Sequence, residues 1–229
     1  MADVAATEPP KTARAAAPSA RTRVRRMPTR GHYDRETVHA ILDAGLICHV
    51  GYVINGQPYV TPTGYWREGD RAYWHGSSAS RMLRQQKQGI RVCFTVTLLD
   101  GIVFARSGFH HSMNYRSVMA LGHAALVEGD DAKLAALEAF SERLAPGRWR
   151  EIRPPNKQEL KATTVLHMDL DEASAKIRVG DPVDDEPDYA LPCWAGVLPL
   201  AVATGTPQPD SRLAAGIAAP SYLRHVRVG

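Results

Sequence analysis

Residues 46–66 read LICHVGYVINGQPYVTPTGYW, and this stretch decides the fold. Residues 46–54 are rich in β-branched and aromatic side chains, which suit a pleated strand. Asn55-Gly56 is the dipeptide that a two-residue hairpin turn favours, and residues 57–66 return as a second strand. Glu68-Gly69-Asp70 supplies the next turn and residues 71–75 a third strand, so the chain opens as an antiparallel meander. Ahead of it, Asp34 is placed to cap a short helix carrying Val38, Ile41 and Leu42 and closed by Gly45.

Working outward, residues 78–88 read as a short helix and 91–98 as a buried strand. Asp100-Gly101 reads as a second hairpin turn, returning through 102–109. Residues 115–128, 163–170 and 174–179 supply further strands. Leu134, Leu137, Phe140 and Leu144 mark one side of a helix over 132–144. Five or more antiparallel strands with few helices are not the alternation of a parallel sheet. A small barrel, which removes exposed strand edges, is the natural architecture.

The chain has 229 residues, 44% of them hydrophobic, enough for one domain with tails. Its net charge of +4 is unevenly placed. Lys11, Arg14, Arg21, Arg23, Arg25, Arg26 and Arg30 face only Asp3 and Glu8 in the first 30 residues, which leaves the rest slightly acidic. A nucleic-acid-binding body needs a basic face, so that class is excluded. No apolar run is long enough to span a membrane, and the start lacks the apolar core of a secretory signal. Cys48, Cys93 and Cys193 are odd in number and widely spaced, with no CxxC motif, so neither a disulfide framework nor a metal site is expected. A reducing cytoplasm fits this usage. The expected organisation is a disordered basic tail over 1–29, one domain over 30–205, and a loose extension over 206–229.

GxGxxG after a strand, the Walker loop, HExxH and GxSxG are all missing, which removes support for the corresponding chemistries. Three segments carry candidate chemistry. In residues 74–84 a strand ends, small residues turn the chain, and a helix begins near Ser80 and Arg81. Such a start can hold an anion, or be a capped surface helix. Residues 109–118 pack His110, His111, Asn114, Tyr115, Arg116 and Ser117 between two apolar strands, as ligand groups or as a polar connection. In 174–180, alternation places Ser174, Lys176 and Arg178 on one face, toward an anionic ligand or toward solvent. Trp194 is either core or a cover for a flat cofactor.

The order of these features carries more than any one of them. A strand, the Asn-Gly hairpin, Thr61-Pro62-Thr63, a strand ending Tyr73-Trp74-His75-Gly76, the Ser/Arg helix start, Arg-Val-Cys-Phe at 91–94, and Asn114-Tyr115-Arg116-Ser117-Val118 before Gly122 follow one another. This succession resembles the pyridoxamine 5′-phosphate oxidase-related FMN-binding family over roughly residues 30–200, most of all its nitroimidazole-resistance-like branch. The resemblance implies a mainly β fold, a six-stranded antiparallel split β-barrel with a few flanking helices. It implies a homodimer with FMN at the subunit interface. Thr61, Pro62 and Thr63 would run along the flavin, Trp74 and His75 beside it, and Ser80 and Arg81 at its phosphate. Met82 stands where a lysine is common. Ser117, Lys176, Arg178 and Trp194 complete the cofactor set, and His75, His111 and Arg116 are the catalytic candidates. The cationic strand and the Arg-Leu-His ending of the pyridoxal-phosphate-forming oxidases are missing, which argues against that reaction. The expectation is therefore an FMN-dependent oxidoreductase acting on a small organic substrate. Two alternatives stand beside it: a haem-binding or haem-degrading relative with His75, His110 or His111 as axial ligand, and a flavin-binding protein without turnover.

Overall fold

The structure, a computed structural model, describes residues 15–229. A single antiparallel sheet curls into a barrel. Its strands are β1 (Gly31–His32), β2 (Ile47–Ile54), β3 (Gln57–Glu68), β4 (Arg71–Ser77), β5 (Arg91–Phe104), β6 (Ser112–His123), β7 (Ala125–Leu126), β8 (Thr163–Asp169), β9 (Ala173–Arg178) and β10 (Gly196–Pro199). The strand order is β1-β9-β6-β5-β2-β3-β4-β8-β7, with β10 added alongside β5. Among the described residues four α-helices decorate it: α1 (Arg35–Ala44), α2 (Arg81–Gln86), α3 (Asp130–Leu144) and α4 (Lys157–Ala162). The mainly β split-barrel expectation holds, with more strands than six because short strands extend both ends of the sheet.

Local chemistry explains the first half. Asp34 accepts a hydrogen bond from the Thr37 amide at 2.8 Å and caps α1, whose Val38, Ile41 and Leu42 are buried. Asn55 and Gly56 both take positive φ, 49° and 81°, as the hairpin turn between β2 and β3 requires. Alternation then sorts the side chains. Tyr65, Ala72, Trp74, Phe94, Val118, Ala120, Leu166 and Met168 fill the barrel, while Trp66, Val165, Ala136, Leu137 and Leu160 form a second core under α3 and α4. Gly122 of β6 lies so close to Met168 of β8 that an added Cβ would be 2.9 Å from its Cε, which marks where the barrel closes.

Three expectations are corrected. Asp100-Gly101 makes no hairpin: β5 runs through it, with only a register shift between Leu99 and Gly101. The Asp100 carboxylate is bonded by Arg116 of β6 at 2.7 and 3.0 Å, and its carbonyl by the Leu200 amide at 3.0 Å. Neighbours on both sides hold the segment extended, which overrides the turn preference of the dipeptide. The tail is not free up to residue 29. Thr22 is 1% exposed, the Val24 amide donates to the Tyr33 hydroxyl at 2.8 Å, and Arg21 pairs with Glu172. The part of that expectation covering residues 1–14 lies outside the described residues. Finally, the extension over 206–229 is tied down: the Tyr222 hydroxyl bonds Glu151 at 2.5 Å and the Gly229 amide bonds the Ala44 carbonyl at 2.9 Å.

Candidate functional site

The register of β3, β4 and β8 builds the most chemically suggestive site. Tyr65 faces Trp74 and Trp66 faces Tyr73 across β3 and β4, while Tyr73 faces His167 and His75 faces Val165 across β4 and β8. Alternation sends Trp74 into the barrel and His75 out of it, toward α3. The imidazole packs edge to face against Phe140, centroids 4.6 Å apart, and tilts against Trp66 at 5.8 Å. Its Nδ1 is buried and has no hydrogen-bond partner. Burial holds the His75 pKa below its ordinary value and so favours the neutral ring.

Beside it lies a cavity of about 600 Å³, lined by His75, Leu137, Phe140, Trp149, Ile152 and Arg153. That volume falls in the range of cofactor sites. Its far wall is the loop between α3 and α4, which the sequence fixes by local bonds. The Glu142 carboxylate accepts the Gly147 and Trp149 amides at 2.6 and 3.0 Å, and these bonds hold its pKa down. Asn156 and Glu159 form a reciprocal capping box at the start of α4. Glu159 also takes a two-pronged contact from Arg153 at 2.6 and 2.8 Å, which lowers its pKa to about 2. The wall is thus a braced apolar surface with a guanidinium at its rim. A larger cavity of about 890 Å³ under the C-terminal extension is lined by apolar side chains with Arg148, Glu151 and Gln208, and contains no imidazole or thiol.

The other sequence candidates divide into two groups. Thr61, Pro62 and Thr63 lie on β3, and Arg81 opens α2 with its guanidinium 4.6 Å from the Tyr59 ring centroid. Ser117 lies on β6, bonding the Lys176 carbonyl of β9 at 3.2 Å. β2 and β5 separate the groups, so β3 and β6 stand roughly 14 Å apart within one chain. His111 bonds the Ser107 carbonyl at 2.8 Å, and Arg116 is committed to Asp100. His75, His111 and Arg116 are therefore not brought together in one chain.

Several cofactor candidates are corrected. The Trp74 side chain is fully buried in the barrel and donates from Nε1 to Gln86 at 2.9 Å; it faces away from His75 and has no surface to offer a flavin. Met82 is buried in the same core. Arg178 is buried, with its guanidinium bonded to the Asn114 side chain and to the Gly180 and Asp181 carbonyls at 3.4 Å, so it closes the end of β9. The space beside Gly76 is taken by Leu83, whose Cδ1 would sit 3.0 Å from an added Cβ. Ser80 precedes α2 without a side-chain capping bond. Trp194 is 70% exposed, against Phe104 at 6.0 Å, so it is not core in the single chain.

Sequence reading missed the cavity wall. Phe140 stood out only as one member of an apolar helix side, and Trp149, Ile152 and Arg153 sat in an unassigned loop. The available signal was an aromatic residue flanked by arginines between Pro146 and Pro154. Among the described residues no cluster of His, Cys, Asp and Glu could hold a metal ion alone, and no helix is long and apolar enough to cross a membrane.

A family model described as pyridoxamine 5′-phosphate oxidase matches residues 34–177, and this chain belongs to that family. Among solved structures, the flavocytochrome Anf3 from Azotobacter vinelandii is 47% identical, with a TM-score of 0.89, covering 93% of this chain and 99% of its own. An FAD and heme binding protein from Mycobacterium smegmatis is 36% identical, with a TM-score of 0.83, covering 87% and 98%. A candidate 5-nitroimidazole antibiotic resistance protein from Bacteroides thetaiotaomicron shares the fold at 22% identity and a TM-score of 0.52, covering 64% of this chain and 86% of its own. No curated protein matches the chain.

Proposed function

We propose that this chain is a redox protein that binds both a flavin and a haem, with His75 as an axial ligand of the haem. One observation carries the reading: a half-buried imidazole, its pKa held down by burial and its buried Nδ1 without a partner, stands at an open, largely apolar cavity of about 600 Å³. A neutral imidazole is the form that ligates iron. A ligating imidazole is usually oriented by a hydrogen bond from its other nitrogen; here packing against Phe140 and Trp66 orients the ring. Leu137, Phe140, Trp149 and Ile152 suit a flat apolar macrocycle, while the Arg153–Glu159 pair at the rim would have to open for the guanidinium to meet its carboxylate tails. The two relatives named a flavocytochrome and an FAD and heme binding protein support the pairing.

When bound, a flavin exchanges electrons in pairs or singly and a haem exchanges them singly, so the two together divide a two-electron reaction into single transfers. The flavin in this proposal is FAD, as the M. smegmatis relative's name suggests, in place of the FMN expected from the sequence. Thr61–Thr63 of β3 and Arg81 are its contacts on one chain. Ser117 and Lys176, which β2 and β5 separate from β3 in the sheet, would come from a second copy. The outer face that such a copy would cover carries Ile47, Val53, Val60, Leu99 and Met113, all exposed. A homodimer with shared sites, an oxidoreductase activity on a small substrate, and a cytoplasmic setting for three unpaired cysteines belong to the same reading.

The test is the absorption spectrum of the purified protein, with mass analysis of the extracted cofactors and light scattering for the assembly. A flavin envelope with a Soret band, FAD in the extract and a dimeric mass support the proposal. A flavin without haem uptake removes the haem half, and a monomer that binds flavin fully removes the shared site.

A further inference from the structure

The cross-strand register that sets His75 also strings aromatic rings together. His75 lies 5.8 Å from Trp66, Trp66 stacks on Tyr73 at 5.5 Å and 17°, and Tyr73 lies 5.6 Å from His167, all between ring centroids. The far end opens into a groove of about 390 Å³ lined by Tyr73 and His167 and rimmed by Glu68, Arg71 and Glu128. So the chain of rings leads from the haem cavity on one side of α3 to a solvent groove on the other.

We propose that Trp66 and Tyr73 form an electron relay between the His75 cavity and this groove, exporting oxidising equivalents from the haem site to the surface. The proposal rests on the haem reading above. Electron tunnelling falls exponentially with distance, so steps between rings in near contact outrun a single long one. Aromatic packing alone accounts for the contacts, but it does not account for the polar atoms along the line. Nδ1 of His75, Nε1 of Trp66 and Nδ1 of His167 are all buried without a hydrogen-bond partner. A buried tryptophan N–H ordinarily finds an acceptor, as that of Trp74 does on Gln86. With none at Trp66, an oxidised indole has no group to take its proton. It stays a radical cation, remains strongly oxidising, and passes the hole to the next ring.

Reduction of hydrogen peroxide to two waters takes two electrons and two protons, which two tyrosine oxidations, each giving one electron and one proton, supply in full. In each of two passes Tyr73 would give one electron through Trp66 towards the His75 cavity and its phenolic proton to water in the groove, ending as a neutral radical that a one-electron reductant at the groove returns to the phenol. Arg71, bonded to Asp169 at 2.7 Å, also interacts with the Tyr73 hydroxyl at the groove.

The experiment uses the full-length protein loaded with haem, mixed with hydrogen peroxide and freeze-quenched for electron paramagnetic resonance. Spin trapping and peptide mass analysis then locate the radical. The wild type should give a tyrosyl signal with the adduct on Tyr73. Tyr73→Phe, which keeps the ring and removes the hydroxyl, should lose that signal. Trp66→Phe should delay it while leaving the Soret band in place. A Soret band with an unchanged radical in both variants overturns the relay alone. Absence of a Soret band on haem titration of the wild type overturns the haem reading and the relay with it.

Discussion

The rings of His75 and Phe140 meet edge to face with centroids 4.6 Å apart. The contact joins the outer face of β4 to α3, and Phe140 also lies against Gly64 of β3, within 3.8 Å of where a Cβ would stand. The cavity therefore depends on one aromatic side chain that fixes the imidazole and forms its wall. Phe140→Ala should destabilise the fold by less than the ~3–5 kcal/mol that a fully buried Phe costs, because Phe140 is only partly buried. It should also broaden the haem spectrum by freeing the ring. A melt combined with the Soret line shape checks both.

Burial lowers the pKa of His75 below 6.5, and that of His167 in the same direction, with Arg71 adding to it. The sign follows. As pH falls through 6.5 the unfolded chain takes up protons that the folded chain refuses, so stability present above 6.5 is lost below it. His75→Phe should flatten that decline in the haem-free protein. A urea series across pH 5–8 reads the slope, and an unchanged slope in the variant would place His75 in a solvated setting.

Arg81 presents an exposed guanidinium over Tyr59 at the start of α2. Arg81→Ala should weaken binding of FAD or FMN by about 1.5–3 kcal/mol, roughly 10- to 150-fold, and leave riboflavin little changed. Equal losses for the phosphorylated and unphosphorylated flavins would remove Arg81 from the phosphate.

Burial pushes the Cys48 thiol up to about 12, Cys93 is half-buried and also raised, and Cys193 is exposed. Native alkylation should therefore label Cys193 first and Cys48 only on unfolding. Cys93 lies on the outer sheet face opposite Leu121, so dimerisation should protect it. Dilution that restores its reactivity would place the subunit contact on that face.

Residues 46–77 were legible because their determinants are local. Asn55-Gly56 fixes the turn, the turn fixes the register, and the register decides which side each residue faces. The same rule separates Trp74 from His75, although the two adjacent residues had been grouped on one ligand. Asp100-Gly101 shows where local signals fail: its turn preference is real, but Arg116 and β10 hold it extended from outside the window. The cavity wall was illegible for a related reason. Trp149 and Arg153 reach His75 only through the packing of α3 and the bonds of Glu142 and Glu159, and no spacing in the sequence encodes those. Likewise Arg178 looked like a ligand group by alternation, yet its partners at Asn114 and Gly180 consume it.

The most direct measurement is the spectrum of full-length protein and of His75→Ala, each purified and then titrated with haem and flavin. The wild type should show a Soret band and a flavin envelope. The variant should keep the flavin, lose the Soret band of the ligated haem, and regain it when free imidazole fills the space left by the ring. A Soret band that is unchanged in His75→Ala would contradict the assignment of the haem to this cavity.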